Sequence, residues 1–130
     1  MATFHRIQDI RVWHLARRLV TGIYRVSDGC AFRGDRALRN QMRRASVSIV
    51  SNIAEGFERD GTKEFMQFLS VAKGSAGEVL TQLHVAYDQQ YCSPETFREL
   101  RAAALQTIRM LDRLMSYLRT SDIRGRKFRP

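Results

Sequence analysis

The stretch from Gln41 to Arg59, QMRRASVSIVSNIAEGFER, constrains the fold most, because it has the spacing of a helix that is apolar on two faces. At about 3.6 residues per turn, one face carries a row typical of the side that packs on a core. This row contains Leu38, Met42, Ala45, Ile49, Ile53 and Gly56. The opposite face begins with arginines and continues with Val47, Val50 and Ala54. A helix that is apolar on two faces is buried on both, so we expect these three residues in a contact between subunits.

Three other segments have the same helical spacing, and no segment alternates as a strand does, so the chain is predicted to be all-α. The four predicted helices span about residues 10–27, 35–58, 63–90 and 94–120. Their predicted N-cap residues are Asp9, Asp35, Thr62 and Ser93. Ser27 to Gly34 is predicted to be a loop. The mostly short connections favour one up-down-up-down four-helix bundle over residues 1–120, followed by a basic and disordered tail at 121–130.

The charge of the chain is strongly basic, with 22 basic and 13 acidic residues and a net charge of +9. Nineteen of the basic residues are Arg, whose planar fork of donors suits phosphate. A GC-rich genome would also favour Arg over Lys, and an arginine row is also what a solvated helix face looks like. The leading candidates for contact with RNA or DNA are Arg36, Arg39 and Arg43, followed by Arg11, Arg18 and Arg25. No aromatic residue is interleaved with them, so sequence-specific reading of bases is not predicted.

A row of small residues lies opposite the core row of the third predicted helix. It consists of Ser70, Gly74, Gly77 and Thr81. Each glycine inside a helix costs about 1 kcal/mol relative to alanine, so their presence needs an explanation. Close packing of another helix, a kink and a ligand site are the three alternatives. Close packing fits best, and we expect these residues in an oligomer interface.

A polar stripe on the second predicted helix is the best candidate for chemistry. It consists of Gln41, Arg44, Ser48, Asn52 and Glu55. Glu55 could act as an acid, but a single carboxylate is a poor acid–base system, so a structural hydrogen-bond network is the favoured interpretation. The three histidines are isolated and no metal-ligand spacing is present. We therefore predict no catalytic residue, metal, cofactor or small-molecule substrate.

The location of the protein is predicted to be cytoplasmic. No apolar run is long enough for a transmembrane helix, and the first residues lack the apolar core of a signal peptide. Cys30 and Cys92 fall in predicted loops at one end of the bundle. Reduced thiols are the expectation for a cytoplasmic protein, and a disulfide between the two is the alternative.

Motifs in three of the helices resemble those of a known family. The first helix carries Val12-Trp13, Ala16, Leu19 and Tyr24. The second carries Gln41, Arg43-Arg44-Ala45, Ser48-Ile49 and Asn52-Ile53-Ala54-Glu55-Gly56, and the third carries Phe68-Leu69, Ala72, Gly74-Ser75, Glu78 and Leu83. From Phe4 to Leu118, the chain resembles the bacterial four-helix-bundle proteins first noted in open reading frames within 23S rRNA intervening sequences. It departs from them between the first two helices, where the usual proline and glutamate are replaced by Ala31-Phe32-Arg33-Gly34-Asp35.

The resemblance implies a left-handed bundle that assembles into a ring-like homopentamer and has no established enzymatic activity. A distant relative is the accessory protein of diversity-generating retroelements, a basic pentamer that works with a reverse transcriptase and binds nucleic acid. Two functions are therefore expected for this chain. The first is a non-enzymatic oligomeric scaffold that binds RNA or DNA through its arginine rows. The alternative is a protein–protein interaction module whose basic face binds an acidic partner and has no nucleic-acid role.

Overall fold

The computed structural model describes residues 4–120, which form four long helices, one short helix and a single 3₁₀ turn, with no strand in this range. In chain order they are the 3₁₀ turn Ile7–Asp9, α1 Arg11–Ser27, α2 Cys30–Arg33, α3 Arg36–Glu58, α4 Thr62–Asp88 and α5 Pro94–Thr120. The all-α prediction is confirmed, and each long helix begins and ends within two residues of its predicted bounds. The predicted tail at 121–130 lies outside the described residues.

The long helices pack in the pattern of a bundle. Among the described residues, α3 and α4 form the most extensive contact, followed by α4 with α5, α1 with α3, and α1 with α5. Each long helix thus has two principal neighbours, and consecutive long helices are adjacent. The short turn from Arg59 to Gly61 connects α3 directly to α4, as expected for antiparallel neighbours. The handedness of the bundle stays a prediction.

The core lies where the apolar rows predicted it. In the α3 row, all members from Met42 to Gly56 are buried, and Leu38 at its beginning is half-buried. The largest side chains with less than 2% exposure come from every long helix and include Leu19, Ile23, Met42, Ile49, Ile53, Phe65, Leu69, Leu83 and Leu111. The interior is therefore mainly aliphatic and aromatic. Among the described residues, its polar side chains are the hydroxyls of Ser27, Ser46, Ser75 and Thr107, and the charged side chains lie outside it.

Two of the predicted N-caps are confirmed. The Asp35 Oδ1 accepts a hydrogen bond of 3.1 Å from the backbone N–H of Leu38 at the beginning of α3. The Ser93 Oγ accepts one of 3.1 Å from the backbone N–H of Thr96, and Pro94 occupies the first position of α5. Each side chain satisfies a donor that has no partner inside its helix.

The other two N-cap predictions were wrong. The Asp9 Oδ2 accepts hydrogen bonds from the backbone N–H groups of His5 at 2.8 Å and Arg6 at 3.0 Å, so this carboxylate closes the 3₁₀ turn instead of beginning α1. These two donors lower the pKa of Asp9. At α4 the N-cap position belongs to Gly61, whose φ of +87° is accessible to glycine without strain. At α1 the carboxylate of Asp9 is used by the preceding 3₁₀ turn, and at α4 the N-cap position falls one residue earlier, on Gly61 of the turn.

A short helix occupies part of the predicted loop. Phe32 in α2 is fully buried, and its ring lies 5.1 Å from that of Tyr91 between α4 and α5. The Tyr91 hydroxyl donates a hydrogen bond of 3.1 Å to Asp35 Oδ2. The prediction of a plain loop from Ser27 to Gly34 was therefore wrong, because a helix of four residues is too short to have a periodic pattern.

Candidate functional site

Two of the three leading arginines contact the C-terminal turn of α1. The Arg39 Nε donates to the Ser27 backbone oxygen at 3.1 Å. The Arg43 Nε donates to Ser27 Oγ at 2.8 Å, and its terminal nitrogen donates to the Tyr24 backbone oxygen at 3.2 Å. Both guanidinium groups also lie near Asp28, at 3.7 and 4.0 Å. These contacts satisfy carbonyl groups that the end of a helix leaves without a partner, and they place positive charge where the helix dipole is negative.

The Arg43 guanidinium also stacks on an exposed aromatic ring. Its Cζ lies 4.4 Å from the centre of the Tyr24 ring, within the range of a cation–π contact. Tyr24 is 41% exposed, which is high for a large apolar side chain. Along the sequence no aromatic stands among the arginines of α3, but the packing of α1 against α3 supplies one. The contact between Tyr24 and Arg43 could therefore be found only from the packing of α1 against α3, and not from the sequence of either helix.

Three adjoining depressions between α1 and α3 share several lining residues, and we call them together the α1/α3 seam. Its lining residues are Arg17, Val20, Thr21, Tyr24, Arg25, Asp28, Asn40, Arg43, Arg44, Val47, Val50 and Ser51. Its floor is apolar and its rim carries four arginines. Asp28 is the one acidic residue in this lining, and it already lies beside Arg39 and Arg43. The seam is therefore a basic groove with an apolar base.

The other predicted arginines lie on the surface. Arg36 is exposed at the beginning of α3, one turn before Asn40 of the seam. Arg11, Arg18 and Arg25 are exposed along α1. None of these four forms an ion pair with another residue in the range 4–120. Of the three leading arginines, Arg39 and Arg43 therefore contact the end of α1, and Arg36 faces solvent.

The second apolar face of α3 is only partly covered. Val47 is 39% exposed, and Val50 and Ala54 are half-buried. On α4, Ser70, Gly74 and Thr81 are exposed and Gly77 is half-buried. A Cβ atom added at either glycine would have no neighbour within 4 Å, so both lie beside open space. The helix continues through them without interruption. Their place in an oligomer interface stays a prediction.

The polar stripe of α3 is divided between two environments. Ser48 Oγ and Ser75 Oγ are 2.9 Å apart, and Asn52 Nδ2 donates to the backbone oxygen of Ser48 at 2.8 Å and to its hydroxyl at 3.0 Å. Ser48 and Asn52 of the predicted stripe thus form a network with Ser75 of α4, which the prediction did not include, across the contact between α3 and α4. Glu55 does not join it and instead pairs with Arg59 at 2.8 Å. Gln41 and Arg44 line a groove nearby.

Metal-ligating side chains do not cluster in the part of the chain that the structure describes. No three His, Cys, Asp or Glu residues there are placed to hold a metal ion. The pKa of Tyr91 is raised, chiefly by its hydrogen bond to Asp35, and burial raises that of the Cys92 thiol. Cys30 is exposed, and both cysteines are free thiols. Over residues 4–120, no helix combines the length and the apolar composition of a membrane span.

Comparisons with known proteins give one family match and one solved structure with a similar fold. The model of a family described as "23S rRNA-intervening sequence protein" matches residues 8–113. A solved structure from Bacteroides thetaiotaomicron, described as a protein with unknown function from the S23 ribosomal protein family, is 18% identical, with a TM-score of 0.74. The match covers 80% of this chain and 97% of that one, and at this identity it shows the fold alone. None of the curated proteins matches the chain. Neither description names an enzymatic activity.

Proposed function

Because this chain belongs to the 23S rRNA-intervening sequence protein family, we propose that it is a non-enzymatic, oligomeric scaffold that binds single-stranded RNA or DNA along the α1/α3 seam. One observation carries the proposal. An exposed tyrosine, Tyr24, lies in a groove whose rim is arginine and whose single acid is already engaged. The family's name refers to 23S rRNA, so RNA should be tested first.

The phosphate contacts in this proposal come from arginines that have no acidic partner. Arg17, Arg25 and Arg44 line the seam, and Arg36 lies one turn from it. Arg11 and Arg18 extend the same charge along α1. Guanidinium groups bind phosphate oxygens through paired donors. Arg39 and Arg43 have a different role here, because their donors are used in holding the end of α1.

The base contact comes from Tyr24. Arg43 covers one side of its ring, and its 41% exposure leaves room for a base to stack. Bases in a duplex are already stacked on each other, so a stacking platform of this kind favours single strands. Stacking is tolerant of sequence, and we therefore expect affinity for a strand rather than for a particular base sequence.

The first test is a titration of labelled single-stranded RNA and DNA, followed by fluorescence anisotropy. With four phosphate contacts, the logarithm of the association constant should fall with the logarithm of salt with a slope of about −3. Between about 50 and about 200 mM salt the affinity should decrease roughly 50-fold. Absence of saturable binding at the lower salt concentration would contradict the proposal.

Matched variants assign the site. Replacing Arg25 and Arg36 by Gln should reduce the magnitude of the salt slope by about 1.4. The control replaces Arg101 and Arg109, two exposed arginines of α5, by Gln and removes the same charge elsewhere. Equal loss of affinity in both double variants would indicate that net charge alone drives binding and that the seam is not the site.

An acidic protein partner is the second candidate, and the floor of the seam favours it. Val20, Val47 and Val50 line the part of the seam that also contains Arg17, and Val47 is 39% exposed. An amphipathic helix with apolar and acidic residues would bury this floor and pair with the rim. Binding of a model peptide of this kind, with no binding of nucleic acid, would favour this function over the first.

Assembly and location are parts of the same proposal. We infer a homo-oligomer, with a ring-like pentamer as the form implied by the family resemblance, in the cytoplasm. The open space beside Gly74 and Gly77 on α4 supports a contact between subunits, and a contact there leaves Val47 and the α1/α3 seam free. A ring would repeat the seam around its circumference, so that weak contacts with one strand add up.

A further inference from the structure

A second groove lies between α3 and α4, and we call it the α3/α4 polar groove. Gln41, Arg44, Ala45, Ser48, Ser75, Glu78 and Gln82 line a volume of about 270 Å³. Ser48 and Ser75 close it at one end through their 2.9 Å contact. Arg44 is shared with the α1/α3 seam, but the other polar residues of this groove do not line the seam.

The chain's antiparallel register sets the order of groups along this groove. Ser48 of α3 lies opposite Ser75 of α4. One turn back along α3 is Arg44, and one turn forward along α4 is Glu78. Because the two helices run in opposite directions, Arg44 and Glu78 lie at the same height along the groove. A cation on α3 and an anion on α4 therefore line its two sides. The next turn brings Gln41 and Gln82 to one level in the same way.

The charged groups of the groove have no partner among the described residues. Arg44 and Glu78 form no hydrogen bond or ion pair there. The Gln82 Oε1 is buried and also accepts no hydrogen bond. A buried acceptor without a donor is uncommon in folded proteins and calls for an explanation. The terminal torsion of a glutamine side chain is broad, so this oxygen can rotate toward a donor that enters the groove.

From these groups we propose that the α3/α4 polar groove binds a small zwitterion, of the class of free amino acids whose side chain is a hydrogen or a short hydroxyl group. The ligand carboxylate pairs with the Arg44 guanidinium. The ligand ammonium donates to the Glu78 carboxylate and to Gln82 Oε1. Gln41, Ser48 and Ser75 line the remaining space and suit a hydroxyl or a hydrogen as the side chain.

The charge balance of the groove selects this class over simpler ions. Arg44 and Glu78 together are neutral. A lone anion would bind beside the Glu78 carboxylate, and a lone cation beside the Arg44 guanidinium, so each would meet repulsion together with its attraction. A molecule with both charges close together satisfies both sides at once.

The test is isothermal titration calorimetry of the full chain with five probes at up to about 10 mM, a concentration that detects binding weaker than about 1 mM. Glycine and serine should bind saturably. Glycine betaine keeps the carboxylate and the positive charge but has no N–H donor, and it should bind more weakly by a factor of about ten or more. Acetate and methylammonium, which carry one charge each, should also bind more weakly. No saturable binding of glycine or serine, or equal binding of betaine, would overturn the proposal.

Substitutions on α4 assign the site without touching Arg44, so the result is independent of nucleic-acid binding. Glu78→Gln and Gln82→Leu should each weaken serine binding by a factor of about ten or more. The matched controls are Glu64→Gln and Gln67→Leu, exposed positions of the same helix that do not line the groove. The two site variants are separate, so that one remains informative if the other fails to fold.

The competing explanation is that another copy of the chain fills the groove. In that case Glu78→Gln and Gln82→Leu would change the mass measured by light scattering, and the unmodified protein would bind no zwitterion. That pair of results would also overturn the proposal. Serine binding that is lost in both site variants and retained in both controls would support it.

Discussion

Arg43 illustrates how a surface arginine can serve the fold of a basic protein. Its side chain donates to Ser27 Oγ and to the Tyr24 backbone oxygen, and it stacks on the Tyr24 ring. The sequence placed Arg43 on the outer face of a helix, which was correct. It could not distinguish an arginine that faces solvent from one that reaches the end of the neighbouring helix, because that depends on where α1 ends in space.

Replacing Arg43 by Met tests this role. The substitution keeps an unbranched side chain but removes two hydrogen bonds from a charged donor, so the free energy of unfolding should fall by about 1–3 kcal/mol. Arg25→Met, at an exposed position of α1, is the control and should change it by less than about 0.5 kcal/mol. Urea unfolding followed by circular dichroism measures both. A similar effect of the two substitutions would indicate that the contacts of Arg43 add no stability.

Tyr91 is a residue whose protonation is linked to folding. Its hydroxyl donates to Asp35 Oδ2, and this hydrogen bond is the main reason why its pKa is raised from 10.0. The folded protein therefore holds the phenol proton more tightly than the unfolded chain does. The resulting stability is fully present below about pH 10 and is lost as the pH rises through the raised pKa.

An alkaline titration checks this linkage. The tyrosinate absorbance of the protein minus that of Tyr91→Phe should give a transition above pH 10. Asp35→Asn removes the carboxylate but keeps a side-chain oxygen that can cap α3, and it should move this transition to lower pH. An unchanged transition in Asp35→Asn would contradict the assigned cause.

At the level of elements, the long helices could be predicted from the sequence, whereas the short helix and the contacts between helices could not. The apolar rows give α1, α3, α4 and α5 within two residues of their bounds, because each row continues for several turns. The short helix α2 has too few residues to show a row, although Phe32 is fully buried. For the candidate site, the sequence predicted Arg25 and Arg43 as basic contacts, but it assigned Arg44 to the polar stripe and did not single out Arg17. It could not predict Tyr24 beside Arg43 or the α3/α4 polar groove, because both depend on how two helices pair.

Gly56 allows a close approach of α3 to α4. A Cβ atom at this position would lie 2.8 Å from the Cβ of Phe68 and 3.2 Å from the backbone oxygen of Phe65. Gly56→Ala should therefore reduce stability by about 1–3 kcal/mol through overpacking, even though alanine favours a helix. Gly34→Ala is the control, since a Cβ there has no neighbour within 4 Å, and it should be neutral or raise stability by up to about 1 kcal/mol. Thermal or urea unfolding of both variants measures the difference, and a stabilising Gly56→Ala would refute the close contact.

The whole molecule presents two partly apolar outer surfaces. One is the second face of α3 with Val47, and the other is the small-residue row of α4, with the exposed Val71 and Val85 beside it. Scattered exposed valines are ordinary on a soluble protein. On α4, Val71 is one turn from Gly74, and the open space beside Gly74 and Gly77 leaves room for the backbone of another helix, which is why we expect assembly.

Light scattering tests the expected assembly. The protein at micromolar concentration should have a mass that is a multiple of 15.0 kDa. Gly74→Leu should shift it toward the monomer, because the new side chain fills the space left for a neighbouring helix. Val47→Glu separates the two roles of this α3 face: a shift toward the monomer would place Val47 between subunits, and an unchanged mass would leave it to the α1/α3 seam. Ala102→Leu, at an exposed position of α5, should leave the mass unchanged. A monomeric unmodified protein would contradict the interface prediction on both helices.

The link between Ser27 and Arg43 has a consequence for the order of folding. These residues are 16 positions apart in the chain, so bringing them together closes a short loop. The contact of α1 with α5, in which Gly22 lies against Leu100, closes a far longer one. Because the entropy lost on closure rises with loop length, we expect α1 and α3 to pair before α5 completes the bundle. In refolding kinetics, Arg43→Met should then slow folding and leave the unfolding rate nearly unchanged, as for a contact already formed in the transition state.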